Sequence, residues 1–194
     1  MISARNLGRD FGSKRVLRGL DFDVQRGGFL VVTGPNGSGK STLLSLCAGL
    51  LVPTAGELVV DAERGEIGYV AHEPLVYREL TALENLDLFG RLYRVPERRE
   101  RVGMLLERFG LWEARRQRVS SFSRGMAQRL ALCRALLHEP TMLLLDEPYS
   151  SLDADASRLV DGLLSEWVGE KTILVATHEP QRVRALATET LALA

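Results

Sequence analysis

The stretch GPNGSGKS at residues 34–41 lies between the apolar run FLVV at residues 29–32 and a set of leucines at helical spacing. It satisfies the pattern G-x-x-x-x-G-K-[ST], which occurs where a buried strand turns into a helix. Its glycines allow the backbone to curl so that N–H groups point inward at phosphate oxygens, and the helix start adds the positive end of its dipole. The stretch therefore predicts a phosphate-binding loop at the carboxyl end of a buried strand.

Two side chains of this loop have separate expected tasks. Lys40 is expected to bridge the β- and γ-phosphates of a nucleoside triphosphate, and Ser41 to offer its hydroxyl to Mg²⁺. A glycine-rich turn with an incidental lysine is the alternative interpretation, which the flanking strand and helix disfavour. The expected nucleotide contacts come from consecutive residues: Gly34, Pro35, Asn36, Gly37, Ser38, Gly39, Lys40, Ser41 and Thr42.

A second motif places two carboxylates at the end of another apolar run. The sequence LLLDE at residues 143–147 fits a buried strand with Asp146 and Glu147 at its carboxyl edge, where ligands bind in open α/β sheets. Asp146 is expected to hold Mg²⁺, usually through water, and Glu147 to polarise the attacking water. Alone, such a pattern more often marks a solvated strand end. Together with the phosphate loop, it predicts a nucleoside triphosphatase.

Strands and helices alternate around these motifs in a way that is typical of a parallel sheet with helices on its faces. A capping box, Thr81-x-x-Glu84, opens a helical segment at about 78–120, which predicts a lobe at about 78–125 inserted into an α/β P-loop core. A small antiparallel β part is expected at the N-terminus, and residues 1–194 are expected to form a single domain. The periodicity predicts these later elements: helices at about 124–138, 154–168 and 179–187, and strands at 142–145 and 172–176.

Composition limits the possible partners. The 194 residues are 45% hydrophobic and 26% charged with a formal net charge of zero, so no strong field attracts nucleic acid, and none is expected as a partner. Cys47 and Cys133 lie in apolar helical stretches without metal-ligand spacing, which indicates core residues in a reducing compartment. No run approaches the roughly 18 apolar residues of a membrane span. If this protein functions at a membrane, we therefore expect it to do so through a partner chain.

The segment SFSRGMAQR at residues 121–129 precedes the acidic strand and follows the helical lobe. It resembles the signature of ATP-binding cassette (ABC) ATPases, L-S-G-G-Q followed by Q-R. Guanine-nucleotide switches are a rival class, but their N-K-x-D reader is absent from the sequence. The signature is retained at Ser123, Gly125, Gln128 and Arg129 and departs at Phe122, Arg124 and Met126.

Further residues fall in the order of that family. Phe11 resembles the aromatic residue that stacks on adenine, and His178 resembles the switch histidine that touches the γ-phosphate. The segment SSLD at residues 150–153, which ends at Asp153, resembles the D-loop. Taken alone, a residue such as Phe11 is more often a core residue, and one such as His178 is more often a strand-end histidine. His72 stands where the family usually has the glutamine that links Mg²⁺ and the attacking water to the lobe. Histidine can also contact water or phosphate, but its charge can change near neutral pH.

The resemblance implies a particular assembly. ATP with Mg²⁺ lies between the phosphate loop of one copy and Ser123, Gly125 and Asp153 of the other, in a homodimer or a cassette heterodimer. An integral membrane transporter subunit is the implied partner, with this chain peripheral on the cytoplasmic face of the membrane. In this reading, the groove from His72 to Leu80 passes motion to the membrane partner.

Two stretches look most like the ATP-binding subunit of the haem exporter of cytochrome c biogenesis, namely residues 71–86 and 122–132. The alternatives are a different exporter of drug or lipid type, and a non-transport regulatory ABC ATPase, including one without hydrolytic activity. Leucines at the start of the lobe either dock the membrane partner or close the lobe's own core: Leu80, Leu83, Leu86 and Leu88.

Overall fold

The structure is a computed structural model that describes residues 1–193 of the chain. The strands are β1 (Ile2–Phe11), β2 (Lys14–Val24), β3 (Phe29–Thr33), β4 (Ala55–Val60), β5 (Ile67–Val70), β6 (Met142–Asp146), β7 (Thr172–Ala176) and β8 (Glu189–Ala192). The α-helices are α1 (Lys40–Cys47), α2 (Ala82–Leu92), α3 (Arg98–Arg108), α4 (Arg124–Leu136) and α5 (Ala154–Trp167).

The strands form two sheets. A five-stranded sheet has the order β5-β6-β7-β3-β8, and each of its neighbouring pairs is parallel. Its central strands β3, β6 and β7 are almost entirely buried, as their continuous apolar sequences require. A three-stranded antiparallel sheet, β2-β1-β4, is built mainly from the N-terminal hairpin. The predicted α/β class, with a parallel core and a small antiparallel part, is confirmed.

Two hydrophobic clusters pack around the parallel sheet. One contains Cys47 of α1 together with the inner residues of the antiparallel sheet, and the other contains Cys133 of α4 together with the lobe helices. Both thiols are free and buried, and burial raises the pKa of the Cys47 thiol to about 12. The prediction that the cysteines are core residues is confirmed. No helix within residues 1–193 is long and apolar enough to cross a membrane.

The lobe begins with the predicted capping box. The hydroxyl of Thr81 accepts a hydrogen bond from the backbone of Glu84, whose carboxylate accepts one in return from the backbone of Thr81. On α2, Leu86 is fully buried against the lobe's own core, whereas Leu83 is exposed. Of the two alternatives for these leucines, Leu86 therefore closes the lobe's own core, because that side chain lies on the face of α2 that packs inward.

The predicted helix at 179–187 is wrong. This segment forms a single 3-10 turn at Pro180–Arg182, followed by turns in which the N–H groups of Leu186 and Ala187 each donate to the carbonyl three residues back. Only Val183 of the segment is fully buried, so there is no apolar stripe long enough to sustain an α-helix. The N–H and the hydroxyl of Thr188 both donate to the Phe29 carbonyl oxygen, and the Phe29 N–H donates to the Thr188 hydroxyl. These bonds place the chain beside β3 at the start of β8.

Candidate nucleotide-binding site

The phosphate loop connects β3 to α1, as the sequence predicts. Gly34 has a φ of 146°, and a Cβ there would lie 2.6 Å from both the Leu193 carbonyl oxygen and the Ser38 hydroxyl. Gly39 has a φ of 100°, and its Cβ would lie 2.5 Å from the Leu17 side chain. These two positions accept only glycine, because backbone conformation and space both exclude a side chain. The loop is therefore curled before any ligand arrives.

Lys40 folds back over this loop. Its side chain is buried, and its ammonium donates hydrogen bonds to the carbonyl oxygens of Gly34 at 2.8 Å and Pro35 at 3.1 Å. Both acceptors are uncharged, so a buried cation is held without a formal anion as a hydrogen-bond partner. A phosphate group is the kind of ligand that such a cation lacks.

An open cleft of about 510 Å³ runs along the loop. Phe11 stands at one side of this cleft with 44% of its surface exposed, and Asp146 and Glu147 line the other side together with His72. The structure thus brings together the predicted phosphate, magnesium and adenine contacts in one place. The lining residues taken from the phosphate loop and α1 are Asn36, Gly37, Gly39, Lys40, Ser41 and Thr42.

Asp146 ends the buried strand β6 and is itself 1% exposed. Burial raises the pKa of its carboxyl, and the nearby Ser41 hydroxyl, His72 and Lys40 oppose that rise. Its Oδ2 is buried without a hydrogen-bond partner. An orphaned carboxylate oxygen beside a hydroxyl suits a hard, oxygen-preferring cation, so the residues present fit Mg²⁺.

Glu147 and His178 are in direct contact. The Nδ1 of His178 lies 2.8 Å from the Oε2 of Glu147, and the backbone N–H of His178 donates to the same oxygen at 3.3 Å. Glu147 has a φ of 49°, a left-handed conformation that is uncommon for a residue with a side chain. Such conformations cost about 1–3 kcal/mol and cluster at functional sites. The fold therefore holds this carboxylate at a specific point beside the cleft.

A network that the sequence analysis missed supports the His178 loop. Glu179 lies 3.6 Å from the Nε2 of His178 and accepts a hydrogen bond from Arg182 at 3.2 Å. The Arg182 guanidinium also lies over the ring of the buried Tyr149 and reaches Asp161 of α5 at 3.4 Å. Arg182 thereby connects the loop after β7 to the loop after β6. An arginine in an otherwise polar turn gave no local signal of this bridge, because its partners are distant in sequence.

His72 links the nucleotide cleft to a second one. It lines the phosphate-loop cleft and also a cleft of about 600 Å³ between the lobe and the core. The second cleft is bordered by the signature segment around Ser123 and Arg124 and by Ser150 and Ser151. His72 is thus the one predicted site residue shared by both clefts among the described residues.

The signature residues lie outside the phosphate-loop cleft of their own chain. Ser123 caps α4 by accepting a hydrogen bond from the backbone of Met126 at 3.2 Å. At Gly125, a Cβ would lie 2.7 Å from the Ser151 carbonyl oxygen, so this glycine lets α4 pack closely on the D-loop segment. Asp153 caps α5 in the same manner as Ser123 caps α4. Their predicted nucleotide contacts require a second copy.

A phosphate loop, two carboxylates at the end of a buried strand and an inserted helical lobe with its signature segment define a P-loop ATPase of the cassette type. The family model described as "ABC transporter" matches residues 17–150. This chain therefore belongs to the family of ABC transporter ATP-binding proteins.

Individual relatives agree with this assignment. The daunorubicin resistance ATP-binding protein DrrA3 of Streptomyces coeruleorubidus is 39% identical over 91% of this chain and 60% of its own length. The taurine import ATP-binding protein TauB of Sinorhizobium fredii is 38% identical over 96% of this chain and 73% of its own. The dimeric cassette MJ0796 bound to ADP and Pi superposes with a TM-score of 0.88 at 29% identity, covering 100% of this chain and 94% of that one. The chain spans about three fifths of the length of several curated relatives that it matches.

Proposed function

We propose that this chain binds ATP with Mg²⁺ and hydrolyses it as the motor subunit of an ABC transporter. The observation that carries the proposal is the convergence of the phosphate loop, Asp146 and Glu147 on one cleft with Phe11 at its side. We take residues 1–194 as one ATPase domain, with the lobe at 78–125 inserted in it. Continuity of the hydrophobic core between the lobe and the parallel sheet supports this division.

The chemistry follows from these positions. The loop N–H groups and Lys40 bind the β- and γ-phosphates, and Phe11 stacks on the adenine. Ser41 and Asp146 would hold Mg²⁺, which would supply positive charge to balance the charge on the phosphate oxygens. Glu147 orients and polarises the attacking water, and His178 contacts the γ-phosphate.

We propose further that two copies enclose each nucleotide. Ser123 and Gly125 at the start of α4, together with Asp153, would then complete the site of the opposite copy. Their position outside the cleft of their own chain and the likeness to a dimeric cassette with ADP and Pi support this arrangement. A homodimer and a heterodimer with another cassette both satisfy it.

The test uses the variant Glu147→Gln. Its amide preserves the volume of the side chain but does not polarise water, so the variant should accumulate as an ATP-bound dimer. Light scattering after gel filtration with ATP and Mg²⁺ measures this directly. A variant that stays monomeric under these conditions would remove the support for the two-copy site.

The membrane partner is proposed to dock at the lobe–core cleft beside His72. Leu75 and Tyr77, on either side of the cleft-lining Val76, are 44% and 54% exposed. A segment from an integral membrane subunit would cover them on the cytoplasmic face of the membrane. His72, shared by the two clefts, would report nucleotide state to that segment.

For the transported substrate, we propose haem, in support of cytochrome c maturation. The proposal rests on the resemblance of residues 71–86 and 122–132 to the haem exporter subunit. A drug-type exporter is the second candidate, favoured by the 39% identity to a daunorubicin resistance protein.

Affinity purification from native membranes, followed by deletion of the recovered multi-span protein, separates the two substrates. Loss of c-type cytochromes supports haem export. Intact cytochromes with new drug sensitivity support the second candidate. Recovery of DNA or ribosomes with no membrane protein would contradict the transporter role itself.

A further inference from the structure

Arg9 of β1 lies against the exposed ring of Phe11. The guanidinium carbon of Arg9 is 4.6 Å from the centroid of that ring, within the range of a cation–π interaction. The same guanidinium donates a hydrogen bond to the Val52 carbonyl oxygen at 3.0 Å. The ring is therefore held by a group that is itself fixed to the segment before β4.

Of these two residues, only Phe11 borders the nucleotide cleft. Phe11 lines that cleft together with Val16 of the neighbouring strand, whereas Arg9 does not. Leu17, next to Val16, packs directly over Gly39 of the phosphate loop, so the hairpin that carries the ring rests on that loop. The ring at the cleft is thus in contact with a cation, and the hairpin that carries it rests against the phosphate loop.

We infer that Arg9 is a positioning residue for the nucleobase, acting through Phe11; this inference rests on the proposed role of Phe11 as the adenine platform. Two physical effects support it. An exposed ring that is already pinned loses less side-chain entropy when a base stacks on it. A cation on one face also draws electron density from the ring, and an electron-poor ring stacks better on an electron-rich purine.

The effect should depend on the base and not on the phosphates. Calorimetry with Mg²⁺ would compare ATP with inorganic tripolyphosphate, which lacks base and sugar, on the full chain. Arg9→Ala should weaken ATP binding about two- to five-fold, the range expected for a cation–π contact at an exposed site. Its affinity for tripolyphosphate should stay at the wild-type value.

A double variant and a control make the test specific. In the Phe11→Ala background, Arg9→Ala should cause no further loss of ATP affinity, because the residue through which it acts is gone. Arg5→Ala is the matched control, since Arg5 lies on the same strand but pairs with Asp23 away from the cleft. It should leave both affinities unchanged.

Three outcomes would overturn the inference: no change in ATP affinity in Arg9→Ala, an equal loss for ATP and tripolyphosphate, or an undiminished loss in the Phe11→Ala background. A separate result tests whether Phe11 is the adenine platform at all. Phe11→Ala alone should weaken ATP binding about 5- to 150-fold, from the range for base–aromatic stacking. If Phe11→Ala binds ATP normally, the proposed adenine platform fails, and the role of Arg9 fails with it.

Discussion

Replacement of Lys40 gives a quantitative prediction, because two opposing contributions of this residue to the free energy of unfolding can both be worked from the structure without nucleotide. Its two hydrogen bonds to Gly34 and Pro35 contribute about 1.5–3 kcal/mol each, as bonds from a charged donor. Burial of the ammonium without a counter-charge costs several kcal/mol, an order-of-magnitude figure. Lys40→Met removes both terms and keeps most of the side-chain volume. The net change in free energy of unfolding should therefore be within about 1 kcal/mol.

Nucleotide binding should respond very differently. At an ATP concentration about 100 times Kd, binding stabilises the folded wild type by about 2.7 kcal/mol. For a domain of this size, about 1 kcal/mol shifts Tm by about 2–4 °C, so ATP should raise the wild-type Tm by about 5–11 °C. Lys40→Met should lose this rise, because phosphate charge would enter the cleft without its cation. Its Tm without nucleotide should stay within about 4 °C of wild type.

Thermal unfolding with and without ATP and Mg²⁺ measures both quantities. Lys171→Met is the matched control. Lys171 also donates to a backbone carbonyl, that of Pro140 at 2.6 Å, but it precedes β7 and so lies at the amino-terminal ends of the parallel strands, whereas the phosphate loop lies at their carboxyl ends. It should keep the full ATP-dependent rise. The reasoning is refuted if Lys40→Met retains that rise, or if it unfolds by more than about 10 °C below wild type without nucleotide.

Three further substitutions test other parts of the account. Asp146→Asn should raise the stability of the nucleotide-free protein at pH 7 and remove the effect of Mg²⁺ on ATP affinity, as seen by chemical denaturation and calorimetry. Leu106→Ala should cost about 2–5 kcal/mol of unfolding free energy, because Leu106 of the lobe helix α3 is fully buried in the cluster that the lobe shares with the sheet. Gly125→Ala should lower the ATPase rate, because its Cβ would lie 2.7 Å from the Ser151 carbonyl oxygen and push the D-loop segment away from α4.

The pH dependence of the Asp146 variant has a definite sign. Burial raises the pKa of this carboxyl above its ordinary value of 3.8, so the folded protein binds more protons than the unfolded chain above that pH. The free energy of unfolding therefore falls as pH rises from about 3.8 through the folded-state pKa of Asp146. Asp146→Asn should match wild type near pH 3.5 and exceed it at pH 7. A constant difference across this range would contradict the assignment.

Simple readouts decide the other two substitutions. Leu106→Met keeps the volume of the side chain and should lose less than about 1.5 kcal/mol. If Leu106→Ala costs no more than that, the lobe does not share the core of the sheet. For Gly125→Ala, an unchanged ATPase rate would show that close packing of α4 on the D-loop segment has no part in turnover.

The elements that the sequence predicted correctly are those with strong local signals. The phosphate loop requires particular backbone angles at Gly34 and Gly39, the capping box fixes the start of α2, and the start of α4 at Arg124 follows its capping Ser123. Such signals act over a few residues, and tertiary packing did not override them. The α/β class followed from the same elements in order.

The missed features depend on contacts between distant parts of the chain. The segment after His178 carries polar residues that also occur in helices, and the ion pair between Arg182 and Asp161 becomes visible only in three dimensions. The inward orientation of Leu86 depends on how α2 rotates against α3 and α4. The contact of Arg9 with Phe11 depends on strand register and on the Val52 segment. Periodicity alone contains none of this information.

The most direct test of the central claim is the rate of phosphate release from ATP at saturating ATP and Mg²⁺. Wild type should turn over, and Glu147→Gln should lose about 100-fold or more of that rate, the lower end for a positioned general base, with ATP affinity retained. Glu170 is an exposed carboxylate just before β7, at the amino-terminal ends of the parallel strands. The control variant Glu170→Gln should hydrolyse ATP at the wild-type rate. A wild type without ATP-dependent phosphate release, or a Glu147→Gln variant as fast as wild type, would contradict the account.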